Sequence, residues 1–378
     1  MWFRTTYSMV EMAVGTPPVK HLLLFDTGSG TSWVADKKCA DGGCANFSGF
    51  PRAGYNEEAS STAVNTGQYS EIVYDGGVTG GTIVSDMFGA GGQTWNQTFM
   101  AANRSSWTWI PADGFLGLAF SSIAQPGSET VVETMMQGGH LDEPRFGMYF
   151  GKELNATGDD GAGSGPGKGV LTIGASREDK YIDGDMTWLP VKKDHLENGD
   201  AYQLWRSTLR MFSGSRVGDN GTTIANGTVT YGHRQANGVF DTGAGTIGVP
   251  RAAVEDLYRS IGWPGYQAIM DRRHTPLCSE FNSSWAVTFS FSEDGNSYEN
   301  ITITGDMLGG RSGFADRADS CFPPFDDTGN GGLFLFGKVL LKHFYTTYDF
   351  GATKVEDYKP RIGFGRLKEE FRPNLGQN

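Results

Sequence analysis

Residues 22–31 read Leu-Leu-Leu-Phe-Asp-Thr-Gly-Ser-Gly-Thr, and residues 238–246 read Gly-Val-Phe-Asp-Thr-Gly-Ala-Gly-Thr. Each is an apolar run that ends in Asp-Thr-Gly. Downstream of the first lies Asp113-Gly-Phe-Leu-Gly-Leu118, and downstream of the second lies Leu333-Phe-Leu-Phe-Gly337. The interval from Asp26 to Gly117 is 91 residues and that from Asp241 to Gly337 is 96. A lone Asp followed by Gly at a strand end is ordinarily a turn. Two copies, in the same order and at nearly the same spacing, point instead to an internal duplication and two lobes.

The rest of the 378 residues agrees with that plan. Short β-branched and aromatic runs at 71–74, 285–291 and 301–304 read as strands between Gly, Asn, Asp and Ser. Helical signals are few. One covers 128–137 after a Ser-Glu start, and another covers 250–261, with Pro250 at its start and Gly262 behind it. Residues 155–169 carry no core-forming side chains and read as a loop tip. Gly, Asp and Asn cluster near 185–200, so the lobes are assigned to 1–187 and 188–378.

Composition narrows the function. Gly is 55 of 378 residues without a strict period, which excludes collagen and asks for many turns and close backbone approaches. A formal charge of −12 argues against nucleic acid and anionic membranes as partners. No apolar run approaches the roughly 18 residues of a membrane span, and the start of the chain lacks the apolar core of a signal peptide. The four Cys, at 39, 44, 278 and 321, form no CxxC, and the six His form no HExxH, so neither zinc nor another cofactor is expected. Cys39 with Cys44 can close a small loop, and Cys278 with Cys321 a larger one. Eight N-x-S/T sequons begin at Asn46, Asn96, Asn103, Asn155, Asn220, Asn226, Asn282 and Asn300, which with the even Cys count favours a glycosylated protein of the secretory route.

A pseudo-twofold axis would bring Asp26 and Asp241 face to face. Two carboxylates at close range cannot both ionise easily, so they share a proton. One can then take a proton from water while the other gives one to a carbonyl oxygen. Gly28 and Gly243 leave room for backbone N–H groups, and the Thr27 and Thr242 hydroxyls can bond across the axis.

These residues carry a resemblance. The chain is similar to the pepsin-like aspartic peptidases, of the secreted fungal type, over nearly its whole length. The match runs through Tyr7, Val14-Gly-Thr-Pro-Pro18, Phe25-Asp-Thr-Gly-Ser-Gly-Thr-Ser-Trp-Val34, Asp113 to Leu118, Trp205 to Leu209, Phe240 to Ala244, and Tyr348-Asp349. The resemblance implies a mostly β, bilobal fold of two pseudo-twofold-related, barrel-like lobes with a few short helices. It implies endopeptidase action on extended polypeptides between bulky hydrophobic residues, with Asp26 and Asp241 as the catalytic pair. Thr27, Gly28, Ser29, Thr242 and Gly243 support them, Ser29 by bonding Asp26.

It also implies a flap at Tyr74-Asp-Gly-Gly-Val-Thr-Gly-Gly81, with Tyr74 hydrogen-bonded to Trp33 and with the glycines supplying hairpin φ values and flexibility. Leu24, Ala112 and Phe115 would form one side-chain wall and Leu204, Val239 and Leu335 another. Asp75, Gly76, Gly77 and Ala244 join the substrate-binding set. The disulfides implied are Cys39–Cys44 and Cys278–Cys321. Zymogen synthesis, secreted or vacuolar residence, a monomer and inhibition by pepstatin-like statine peptides complete the expectation.

Three departures stand out. Ala244 replaces the Thr or Ser common in relatives, which removes a hydroxyl from Asp241 and predicts activity reaching to less acidic pH. Asp75 stands in the flap where Gly is common. Lys338 stands where an Asp usually follows the apolar-Gly element. Residues 243–248 match GxGxxG and residues 332–338 approach a P-loop, but neither has the parallel βαβ setting or the terminal Ser or Thr required. The alternatives are a catalytically inactive pepsin-like binding or inhibitor protein, which usually lacks a DTG Asp or the flap Tyr, and a two-carboxylate glycosidase.

Overall fold

The two Asp-Thr-Gly segments each end a strand that lies beside a parallel partner. Val19–Asp26 pairs in parallel with Gly114–Gly117, and Ala236–Phe240 pairs in parallel with Leu333–Phe336. Trp33–Ala35 runs antiparallel to the first partner, and Ile247–Val249 antiparallel to the second. The duplicated motif is therefore a duplicated three-strand unit, and its two turns carry the aspartates. The computed structural model describes residues 8–152, 169–197, 199–231, 236–309, 312–329 and 332–373. Tyr7, Asn155 and nearly all of the 155–169 loop lie outside the described residues.

Each unit sits in its own large sheet. In the first, the order is Met9–Val14, Val19–Asp26, Gly114–Gly117, Trp33–Ala35, Gln93–Ser105, Val78–Ala90 and Val64–Val73. Met9–Val14 also pairs with Val78–Ala90, so the sheet curls towards closure. In the second, the order is Glu299–Thr304, Trp285–Phe291, Arg206–Val217, Ala236–Phe240, Leu333–Phe336, Ile247–Val249 and Phe325–Asp327, with Thr223–Thr230 on the flank of Arg206–Val217. Alternation is clear in Trp285–Phe291, where Trp285, Val287 and Phe289 face the core while Ala286 and Thr288 are only partly covered. Inward and outward side chains must alternate along a strand, so register fixes which face meets the core.

A third sheet runs Thr187–Pro190, Arg361–Arg366, Phe344–Asp349, Arg145–Tyr149 and Val170–Ile173. It draws on both halves, since Phe344–Asp349 pairs with Arg145–Tyr149. Above it, Trp205 is fully buried among Phe120, Phe146, Tyr348 and Phe350. Its indole N–H donates to the Leu118 carbonyl at 2.7 Å, so a residue of the second half is anchored in the first. A buried indole N–H left unpaired would cost about 1–3 kcal/mol, which fixes the ring's orientation.

The helices are short. The first runs Val131–Gln137, and its cap is Thr130 rather than Ser128: the Thr130 side chain accepts from the Glu133 N–H. Arg251–Ser260 follows Pro250, as its position at a helix start favours. Both disulfides form, Cys39–Cys44 and Cys278–Cys321.

Candidate active site

The turns after Phe25 and Phe240 are locked to each other by four hydrogen bonds of twofold symmetry. The Thr27 N–H donates to Thr242 Oγ1 and the Thr242 N–H to Thr27 Oγ1, both at 3.0 Å. Each hydroxyl then donates to the carbonyl that precedes the opposite Asp, Thr27 to Phe240 and Thr242 to Phe25, both at 2.8 Å. Both threonines are buried, so every one of these groups needs a partner, and each supplies the other's.

This grip brings the carboxyl groups together. A Cβ placed on Gly28 would lie 2.5 Å from Asp241 Oδ2, and one placed on Gly243 would lie 2.6 Å from Asp26 Oδ1. The two glycines therefore serve close approach. The Gly28 N–H donates to Asp26 Oδ1 at 2.8 Å and the Gly243 N–H to Asp241 Oδ1 at 2.7 Å. The symmetry ends one residue later: Ser29 Oγ donates to Asp26 Oδ2 at 2.6 Å, and Ala244 has no hydroxyl to match it. Burial, the adjacent Asp26 and a hydrogen bond to it hold the Asp241 carboxyl well above the usual carboxylate range, against the backbone N–H groups of Gly243 and Ala244.

A hairpin brings Tyr74 close to Asp26 and Ser29. Val64–Val73 and Val78–Ala90 are joined by a turn in which Tyr74 and Gly77 exchange backbone hydrogen bonds of 2.8 and 3.4 Å, leaving Asp75 and Gly76 exposed at the tip. Gly77, Gly80 and Gly81 do not take the positive φ values expected of them. They are needed for close contact instead: a Cβ on Gly77 would lie 2.8 Å from Ser106 Oγ, and one on Gly81 2.1 Å from the Ala101 carbonyl oxygen.

Tyr74 rests edge-on against Trp107 and Phe115, each with ring centroids 5.6 Å away. Its hydroxyl is shielded from solvent, and its polar neighbours are the Trp33 indole and the Ser29 hydroxyl. Ring packing sets the Tyr74 position here. Burial and the charge of Asp26 raise the phenol's pKa, while the nearby Trp33 indole and Ser29 hydroxyl oppose that rise.

Leu24, Ala112 and Phe115 come together beneath Tyr74, buried with Trp33, Ile83, Met100, Ala102 and Ile110. Trp107 closes this cluster, 5.3 Å from Phe115. Sequence reasoning missed it. The signal was Trp107-Thr-Trp-Ile110, an apolar stretch just before Asp113-Gly that offers more rings than a connecting loop needs. On the other lobe, Val239 and Leu335 are register partners and Val239 is buried, while Leu204, Ala244 and Leu335 remain partly exposed. The Lys338 backbone N–H donates to the Ala244 carbonyl at 2.8 Å, and its ammonium lies 5.8 Å from the Phe150 ring centre.

The remaining assignments are peripheral. Asn96, Asn103, Asn220, Asn226, Asn282 and Asn300 are exposed, and Asn46 is half-buried. Among the described residues no helix is long and apolar enough to cross a membrane.

Comparison with known proteins adds the family context. A family model described as eukaryotic aspartyl protease matches residues 7–357. Gastricsin of Mus musculus is 27% identical over 354 residues, covering 91% of this chain and 79% of that protein. A probable vacuolar protease A of Trichophyton verrucosum is 28% identical over 357 residues, covering 91% and 76%. Pepsin A of Sus scrofa is 26% identical over 352 residues, covering 91% and 79%.

Proposed function

Because the chain belongs to the eukaryotic aspartyl protease family, a family of endopeptidases, we propose that Asp26 and Asp241 together hydrolyse peptide bonds in extended polypeptides. The observation that carries this is the interlocked pair of turns, which holds two carboxyl groups together with Asp241 strongly favouring its protonated form. In the reaction, Asp26 takes a proton from a water molecule as its oxygen attacks the peptide carbonyl carbon. Asp241 gives its proton to the carbonyl oxygen, forming a tetrahedral diol. The C–N bond then breaks as the nitrogen is protonated and the diol returns a proton to the pair. No covalent enzyme intermediate is involved.

Gly28 and Ser29 donate to Asp26 and hold its carboxyl group in place. Thr27 and Thr242 hold the geometry. Tyr74 and the Asp75-Gly76-Gly77 tip close over the substrate and exclude water. The wall of Leu24, Ala112 and Phe115 and the opposite Leu204, Val239, Ala244 and Leu335 receive large apolar side chains. The active site would then lie between lobes 1–187 and 188–378 of a glycosylated monomer. It would act in an extracellular or vacuolar space and would be made as a zymogen.

The test is digestion of an unfolded protein at acid pH, with and without a statine peptide. The parent should cut next to bulky apolar residues and be blocked by the inhibitor. Asp26→Asn and Asp241→Asn should each lose at least ~10³-fold in kcat/KM while keeping the parent's melting temperature within a few degrees. A parent that binds the peptide but does not cut it would instead establish the inactive binding protein.

A further inference from the structure

Phe47 and Trp109 are 61% and 60% exposed, yet their rings are in contact, with centroids 5.4 Å apart. Large aromatic side chains bury roughly 150–250 Å² when covered, so this pair offers a sizeable apolar surface to water. The surface is built on well-tied backbone. The Phe47 N–H donates to the Thr108 carbonyl at 2.6 Å, joining the two loops directly. Asn46 holds the Phe47 loop through Ser48 and the Phe50 carbonyl, and the Cys39–Cys44 disulfide closes the chain just before it. Arg52 donates to the Trp107 carbonyl at 2.6 Å and the Ala112 carbonyl at 3.2 Å, which straps the Trp109 loop on both sides. Rings held this way lose little freedom on binding, which is the character of a recognition hot spot.

The pair is tied to the hairpin through the loop it stands on. Trp109 is two residues from Trp107, and Trp107 touches both Tyr74 of the hairpin and Phe115 beneath it. Ser106 is bonded to Val78 of the same hairpin in both directions, at 2.9 and 2.7 Å. The loop that carries Trp109 therefore also seats the hairpin, which puts the two rings at its flank.

We propose that Phe47 and Trp109 form an outlying specificity site that takes an aromatic or large aliphatic side chain of the substrate polypeptide, several residues from the bond that is cut. This rests on the endopeptidase reading above. The occupant is the substrate itself because the surface adjoins the place where substrate would lie.

The test uses the full chain freed of N-linked glycans, since Asn46 adjoins Phe47. A cleavable core peptide, mapped from the protein digest, is extended on either side with Phe, Ala or Asp at the third to fifth residue from the cut. The parent should cut the Phe-bearing peptide on one side about tenfold better in kcat/KM than its Ala counterpart. Phe47→Ser/Trp109→Ser should lose that preference while cutting the unextended core within about twofold of the parent. No preference in the parent, or a preference that persists in the double variant, overturns the proposal. Self-association abolished by the double variant without any change in preference also overturns it, assigning the rings to a second copy of the chain. If the digest yields no cut, so that the core is instead a peptide of bulky apolar residues that stays whole, the endopeptidase reading fails by itself. The same peptides' Kd values then decide: a Phe preference lost in the double variant upholds the aromatic site, and equal affinities overturn it.

Discussion

At the scale of single residues, the two carboxyl groups are unequally supported. Asp26 accepts from Ser29, whereas Asp241 has Ala244 at the equivalent place. Asp241 is already held above the usual carboxylate range by burial and its neighbour. A hydroxyl at 244 would stabilise the charged form and lower the pKa at which the pair loses its shared proton. Ala244→Thr should therefore move the alkaline limb of the kcat/KM profile down by about one pH unit, the value of one hydrogen bond to a charge. A limb that stays in place would show that Asp241 does not carry the shared proton.

Asp113 offers a second titration, read in stability. It accepts from the Leu22 N–H at 2.7 Å and the Ala53 N–H at 2.5 Å, with Arg52 nearby, but burial dominates and pushes its carboxyl up to about 6. A folded pKa above the unfolded one means that protonation favours the fold. This contribution is complete below about pH 4 and is lost as pH rises through about 6. Melting temperatures of the parent should fall across that window more steeply than those of Asp113→Asn, which cannot ionise. Parallel profiles would remove Asp113 from the account.

At the scale of elements, the hairpin is positioned by contact with Ser106 and Trp107. A Cβ on Gly77 would sit 2.8 Å from Ser106 Oγ and 3.0 Å from the Trp107 ring. Gly77→Ala should lift the tip off Trp107 and lower kcat/KM by roughly tenfold, with little change in melting temperature because the turn is exposed. Unchanged kinetics would mean that the hairpin need not seat on Trp107 during turnover. The hairpin also shows where sequence reading reached its limit. Tyr74 and its glycines are visible as a turn. That the glycines serve close approach rather than φ is not, because it depends on Ser106 and Ala101, which register alone brings opposite them. The Asp-Thr-Gly corners were legible because function and fold both act through the same short, repeated string. Trp107 was not, because its partners Tyr74 and Phe115 are brought together only by the pairing of strands far apart in sequence.

At the scale of the molecule, the duplicated pattern makes two sheets foreseeable, but the third is woven from strands of both halves and leaves no periodic signal. Its outer end is closed by the chain after the strand Arg361–Arg366, beyond the span matched by the family model. Leu367 is fully buried and bridges to Ile182, and the Lys368 N–H donates to the Tyr181 carbonyl at 2.9 Å. Phe371 packs edge-on against Tyr149 and Tyr181, and the Tyr149 hydroxyl donates to the Phe371 carbonyl at 3.1 Å. Tyr149, Tyr181 and Tyr345 form a continuous stack under this cover, and Tyr345 and Tyr149 lie in adjoining parts of the sheet that joins the lobes. The tail thus acts on the joint rather than on the reacting groups. Ending the chain at Arg366 would remove the buried Leu367 and the partly buried Phe371 and uncover the rim of the stack. This should cost about 3 kcal/mol by the usual value of apolar burial. The loss should appear as a lower melting temperature and faster thermal inactivation, with kcat/KM at low temperature kept, since none of the tail's partners named here belongs to the Asp26 and Asp241 turns. Equal melting temperatures would mean that the stack is held from within. A loss of kcat/KM at low temperature would mean instead that the joint between the lobes sets the geometry of the two carboxyl groups directly.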